Sequence, residues 1–311
     1  MSMESDVTTG GKVAEAPATG SIFDLGYQRY VGVRQAQGKR WQVIAAQQIR
    51  DAWKGWKRYK PVLGMAICMT VGFGIAMYIA QQVPAGEMSS MSMDVMLSWS
   101  FVWLAQICVI AGITIAAPTI AADRESGAFT FYFARPVRPF DYVFGKFMGV
   151  WLLQAALYLA SVTLLSIMRL GFLADLAAIR ANWDMLPKAI AIGLMVSVAF
   201  AAMPLGISAI AGKRRTAMIL WAVYYLVALP ILIAIGAGME LDLRPLHPVS
   251  SIKILADAWF RLIALPGGEM VKSSPTLVIA AIASLIGQAA LFLGLAYWRV
   301  KQANAHGIGG A

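Results

Sequence analysis

Residues 123–146, DRESGAFTFYFARPVRPFDYVFGK, pack charges, aromatics and two prolines into one internal stretch of this 311-residue chain. Asp123, Arg124 and Glu125 open the stretch, Gly127 follows, and Phe129, Phe131, Tyr132 and Phe133 crowd its middle. Arg135-Pro136, Arg138-Pro139 and Asp141 come next, and Gly145-Lys146 closes it. Charges beside aromatics suit docking against another protein more than bond making. The chain carries no HExxH, CxxC or GxSxG pattern, so no catalytic residue is expected. Its two histidines, His247 and His306, stand alone, and no metal site is expected. Cys68 and Cys108 lack metal spacing and read as small apolar fillers. The Gly-Lys pairs ending at Lys12, Lys39, Lys146 and Lys213 are followed by neither Ser nor Thr. The chain therefore lacks the usual loop that cradles nucleotide phosphates, and no cofactor is expected on it.

What must position that stretch is a set of membrane spans. The chain is 59% hydrophobic, and the excess gathers into blocks at 61–83, 97–121, 147–168, 189–211, 216–239 and 276–298. None of the six contains Asp, Glu, Lys or Arg. About 20 apolar residues cross the hydrocarbon of a bilayer, and a buried helix of a water-soluble protein is normally amphipathic instead. The fold expected is an all-α integral membrane protein with six transmembrane helices. The net charge of +10 does not point to nucleic acid, because of its placement. With the N-terminus inside, 19 of the 26 Lys and Arg residues fall on the cytoplasmic segments. That is the bias that orients helical membrane proteins, and it puts both termini in the cytoplasm.

Residues 1–20 read as a disordered cytoplasmic tail, 21–60 as a cytoplasmic segment, 61–299 as the six-helix domain and 300–311 as a second tail. Within 39–60 a helical wheel puts Trp41, Ile44, Ala45, Ile49, Ala52, Trp53 and Trp56 on one face. Arg40, Arg50, Lys54, Lys57 and Arg58 occupy the other. Such a helix lies in the headgroup plane, drawn to anionic lipid by roughly 1 kcal/mol per cation. The long last outer loop, 241–275, sets Lys253, Asp257 and Arg261 against Ile252, Leu255, Trp259, Leu262 and Ile263. It is expected on or dipping into the outer leaflet, not as a seventh span. The spans offer only weak polar groups, Ser98, Gln106, Gln154, Ser197 and Gln288 among them. These could line a translocation path, or bond helix to helix at about 0.6 kcal/mol each. Charge-free spans argue against an ion-coupled carrier, which needs ionisable relay points.

Asp123, Arg124 and Glu125 sit where the second span leaves the bilayer, placed to cap a helix and match its dipole. Gly127 permits a sharp turn, and the two prolines stop the aromatic segment. A new helix is expected to begin at Asp141. The outcome is a short helix held crosswise beneath the membrane with arginines displayed. A solvated basic connector would account for the cations of this loop but not for its aromatics.

An acid, x, acid, x, Gly order, then aromatics, then Arg-Pro-Val-Arg and a downstream Gly-Lys resembles the type-2 ABC exporter permeases. Glu125, Gly127, Pro136, Val137, Arg138, Gly145 and Lys146 hold the matching positions, while Ala128 replaces the frequent Thr. The resemblance spans about 39 to 299. It implies that the 123–146 loop is a coupling helix seated in a separate ATP-hydrolysing subunit. Asp123, Arg124, Glu125, Gly127, Phe131, Arg135, Pro136, Arg138 and Lys146 would serve that contact. It also implies two ABC ATPase subunits carrying ATP and Mg, a second permease chain, identical or not, and a bacterial cytoplasmic membrane. A non-transporting scaffold or signal-transmitting subunit would share the loop but would call for a larger outer domain.

Overall fold

The computed structural model describes residues 40–54, 59–82, 92–133, 137–173, 175–260 and 274–305, and they form helices with no strand among them. Expectations that fall on 1–39, Trp56, Lys57, Arg58, Arg135, Pro136, Arg261, Leu262, Ile263 and 306–311 lie outside the described residues. Helix α1 is Arg40–Lys54, and α2, Tyr59–Gln82, is the first span. The second span, Met93–Glu125, comprises α3 (Met93–Ala111), a π-helical turn (Gly112–Ala116) and α4 (Pro118–Glu125). After α5 (Ala128–Phe133), the third span joins α6 (Pro139–Leu157) to α7 (Leu159–Gly171). A short α8 (Leu176–Ala181) precedes the fourth span, α9 (Met185–Ile210). The fifth is α10 (Arg214–Val223), a second π-helical turn (Tyr224–Ala228) and α11 (Leu229–Gly238). Helix α12 (Pro248–Trp259) follows, and α13 (Pro275–Ala305) is the sixth span.

All six apolar blocks are therefore helices long and apolar enough to cross a membrane. The central one is α9, packed against α6, α7 and α13 and 72% buried. Close approach explains how. A Cβ on Gly206 would come within 2.6 Å of Phe292 on α13. The fifth span, by contrast, is only 17% buried. Both π-helical turns precede a proline, Pro118 or Pro230, which cannot donate an amide to restore the regular ladder.

Two amphipathic segments differ from expectation in what their apolar faces meet. Helix α1 turns Ile44, Ala45 and Ala52 onto protein, chiefly α6, not onto lipid. The surface of α6 there is flat: a Cβ on Gly145 would lie 2.7 Å from the Trp41 carbonyl oxygen, and one on Gly149 would meet Gln48 at the same distance. Val43 and Trp53 remain as exposed apolar residues of α1. Helix α12 is likewise docked, with Ile252, Leu255 and Ala256 buried and with α3, α9 and α13 as neighbours. Ser98 Oγ donates to Asp257 at 3.0 Å, so the charged side of α12 reaches a span as well.

Candidate functional site

The second span ends in a turn at Gly127 that leads into α5. Gly127 takes φ +67°, a left-handed value that a side chain would strain. The Thr130 hydroxyl donates to the Gly127 carbonyl at 2.7 Å and holds the first turn of α5. Helix α5 then presents two faces. Phe129 is buried, edge-on to Tyr142 with ring centroids 5.5 Å apart, and Tyr132 meets the same ring at 5.2 Å. Phe131 points away and is 76% exposed. Arg138 is exposed and extended, and Pro139, its successor, starts α6 at N1. The third span thus begins ahead of Asp141.

Behind α5 lies a polar frame. The Lys146 ammonium meets Asp123 at 2.8 Å, and the Tyr142 hydroxyl donates to the same carboxylate at 2.7 Å. Lys146 also donates to Gln48 Oε1 at 3.4 Å, and Gln48 Nε2 donates to Thr119 at 3.1 Å. Helices α1, α4 and α6 are joined through these four contacts. Gln48, Asp51, Thr119, Asp123, Lys146 and Arg214 contribute to the walls of a cleft of about 120 Å³. Burial pushes the Tyr132 phenol above its ordinary value, and the Asp123 and Asp51 carboxylates add to the shift.

Sequence reasoning grouped Asp123, Arg124, Glu125, Gly127, Phe131, Arg138 and Lys146 as contacts for a partner, and the structure divides them. Phe131, Arg124 and Arg138 are exposed. Lys146 is 7% exposed and committed to Asp123, so it braces the loop from inside and is not displayed. Glu125 turns sideways, where its Oε2 accepts the Arg214 amide at 2.9 Å. Gln48, Thr119, Tyr142 and Arg214 were not anticipated. For Gln48, Thr119 and Tyr142 the signal was a polar or half-polar residue on an otherwise apolar helical face, whereas Arg214 takes part through its backbone amide, which no side chain announces.

On α1, Trp41 stacks edge-on against Phe144 (5.1 Å), Ile49 packs on the core, and Trp53 meets Tyr59 (5.3 Å) while staying 44% exposed. Lys54 is exposed at the end of the helix. The five weak polar groups of the spans are all engaged within the chain. Ser98 bonds Asp257, and Gln106 accepts from Tyr225 at 3.0 Å. Gln154 donates to the Cys108 carbonyl at 3.2 Å, and Ser197 accepts from Trp151 at 3.1 Å. Gln288 accepts from Tyr224 at 3.1 Å and donates to the Leu246 carbonyl at 2.8 Å. Ser98, Gln154 and Ser197 are buried. This favours bonding helix to helix over lining a path. No group of His, Cys, Asp and Glu that could hold a metal occurs among the described residues.

Comparison with known proteins agrees with the layout. A family model described as ABC-2 family transporter protein matches residues 31–305, and the chain belongs to that family. No curated protein matches it. Membership makes the chain a multi-pass membrane permease subunit of an ABC transporter, which works with an ABC ATPase subunit.

Proposed function

We propose that this ABC-2 permease is the membrane half of an ATP-driven exporter, and that its α5 loop is the element through which a separate ATPase drives it. The observation that carries this reading is the exposed Phe131 on a braced six-residue helix, flanked by the exposed Arg124 and Arg138. A bare aromatic anchor on a rigid backing, ringed by cations, suits a groove in a partner with acidic walls. Asp123 and Lys146 keep the backing rigid, and Arg135 and Pro136 belong to the same loop.

The partner is expected as two ABC ATPase subunits holding ATP and Mg, with a second permease chain, identical or different, completing the transporter. Nothing is transmitted unless the ATP-bound ATPase holds the loop differently from the empty one. The Lys and Arg distribution supports cytoplasmic termini, and the membrane is read as the bacterial cytoplasmic one, with lipid also meeting Trp53 and Lys54. Substrate would pass between permease chains. The apolar character of the spans favours a lipidic or amphipathic cargo.

The test is capture of this chain from its native membrane in mild detergent, with mass spectrometry of what accompanies it. An ATPase bearing a phosphate-binding loop is expected, and it should be lost when Arg135 and Arg138 are both changed to Glu. A chain recovered alone at native yield would overturn the coupling role.

A further inference from the structure

The fifth span starts badly by its own means. Helix α10 opens with Arg214 and Arg215 after Lys213, has no acidic residue in its first turn, and receives no side-chain cap from Lys213. Cations at a helix N-terminus oppose its dipole, and the first amides are left without partners. Glu125 supplies what is missing from another span. Its carboxylate accepts the Arg214 amide at 2.9 Å and sets a negative charge at the positive end of the helix. Glu125 is also the last residue of α4, two positions before the Gly127 turn into α5.

Higher up, the same two spans are joined again. The Trp221 indole donates to the Val109 carbonyl at 3.2 Å and lies so close to Gly112 that a Cβ there would come within 2.7 Å of its nitrogen. The Tyr225 hydroxyl donates to Gln106 at 3.0 Å. The partners run in antiparallel order, Gln106 with Tyr225, Val109 with Trp221 and Glu125 with Arg214. Two of the three contacts precede the π-helical turn of the second span, and the third lies beyond it, at the end nearest α5.

We infer that Glu125 is a positioning residue that carries displacement of α5 into the fifth span, by capping α10 from the far end of α4. The role rests on the proposal that α5 is the ATPase contact. The fifth span is little buried, and its attachments are few: α10 packs on α4 and α9, and Tyr224 bonds Gln288 of α13, so the contacts with the second span are a large share of what holds it. A side-chain oxygen that accepts the first amide of α10 keeps its start tied to the end of α4 as α4 moves.

Hydrogen exchange on the chain co-purified with its ATPase, with and without a non-hydrolysed ATP analogue, tests this. In the unsubstituted protein the analogue should change exchange in peptides covering 127–133 and 214–220. Glu125→Ala should keep the change at 127–133 and lose it at 214–220. Glu125→Gln, whose amide oxygen can still accept the Arg214 amide, should retain both, which separates a lost cap from a misfolded protein. A full response at 214–220 in Glu125→Ala, or equal loss in Glu125→Gln, overturns the cap as the connection while leaving the α5 contact intact. No response at 127–133 in the unsubstituted protein overturns the α5 contact itself, and the cap role with it.

Discussion

At the end of the bundle that carries α5, one ammonium serves several helices. Lys146 meets Asp123 of α4 and Gln48 of α1, and Asp123 in turn receives the Tyr142 hydroxyl of α6. At the end that carries α12, three acidic side chains each meet a single polar side chain, Asp94 with Arg169 at 3.0 Å, Asp257 with Ser98, and Asp242 with Arg244 at 2.6 Å, while Lys188 reaches from Asp184 to the Trp259 carbonyl of α12 at 3.4 Å. The two short helices dispose their apolar side chains in opposite ways. Phe131 of α5 and Phe140 at the start of α6 are 76% and 61% exposed, whereas α12 folds Ile252 and Leu255 inward with no exposure, although Leu176, Trp183 and Met239 at that end stay exposed. Helix α5 is braced by charge behind it and left uncovered, and α12 is held by its own packing. A surface that must receive a partner without deforming needs the first construction. A loop that only has to seal a bundle can use the second.

The contrast breaks most severely at Lys146. Lys146→Met should leave the Asp123 carboxylate without its cation in a half-buried site and cost about 3 kcal/mol, the lower end for a severed buried pair. The thermal midpoint in detergent reads this. Arg169→Met at the α12 end should cost less, because Asp94 is more exposed than Asp123 and can be hydrated. An equal or larger loss at Arg169 would remove the distinction between shared and pairwise contacts. Asp123→Asn combined with Lys146→Met should recover part of the loss, since no charge is then stranded.

Next in size is Gly145→Ala. The added Cβ would sit 2.7 Å from the Trp41 carbonyl oxygen and 2.8 Å from Ile44, and backbone cannot swing aside as a side-chain tip can. Overpacking of this kind costs about 1–3 kcal/mol. Helix α1 should lift from α6, seen as faster amide exchange across 41–52, with 248–259 unchanged. Faster exchange at both ends would mean that the two are one cooperative unit.

These contacts mark the limit of what could be read in the chain beforehand. The six spans were legible because each apolar block is free of charge, and the Gly127 turn was legible because glycine and the flanking charges announce it. The continuation of the second and third helices beyond those blocks was not. Asp123, Glu125 and Lys146 look like loop residues when each charge is counted singly. Their carboxylates and ammonium are satisfied across helices, by partners 23 and 89 positions away, so the helices run on through them. The apolar face of α1 was likewise visible, but not that Gly145 and Gly149 would make protein, instead of lipid, its first neighbour. The division of α5 into an inward Phe129 and an outward Phe131 depends on Tyr142, and a six-residue helix shows too little periodicity to announce it.

The smallest effect expected is a response to pH at the α12 end alone. His247 sits just before α12, its ring 5.1 Å from that of Tyr225 and its Nδ1 buried without a hydrogen-bond partner. Burial lowers its pKa below the ordinary value of 6.5. The free chain therefore takes up a proton more readily than the docked one, so docking is at full strength above about 6.5 and is lost as pH falls through the lowered value. Asp257 acts in the other sense. Burial raises its carboxyl, against the Ser98 hydrogen bond and the charge of Lys253, so its contribution is greatest in acid and is lost as pH rises through the raised value. Exchange across 248–259, corrected for intrinsic rates, should speed up modestly as pH drops below 6.5, and His247→Gln should abolish that acid branch. Peptides 128–133 should not respond over the same range. No histidine lies among the described residues of that end, and Tyr132, already shifted upward, ionises only in alkali. A matching acid response at α5 would tie the two ends into one titrating unit and undo the separation between a charge-braced α5 and a packed α12.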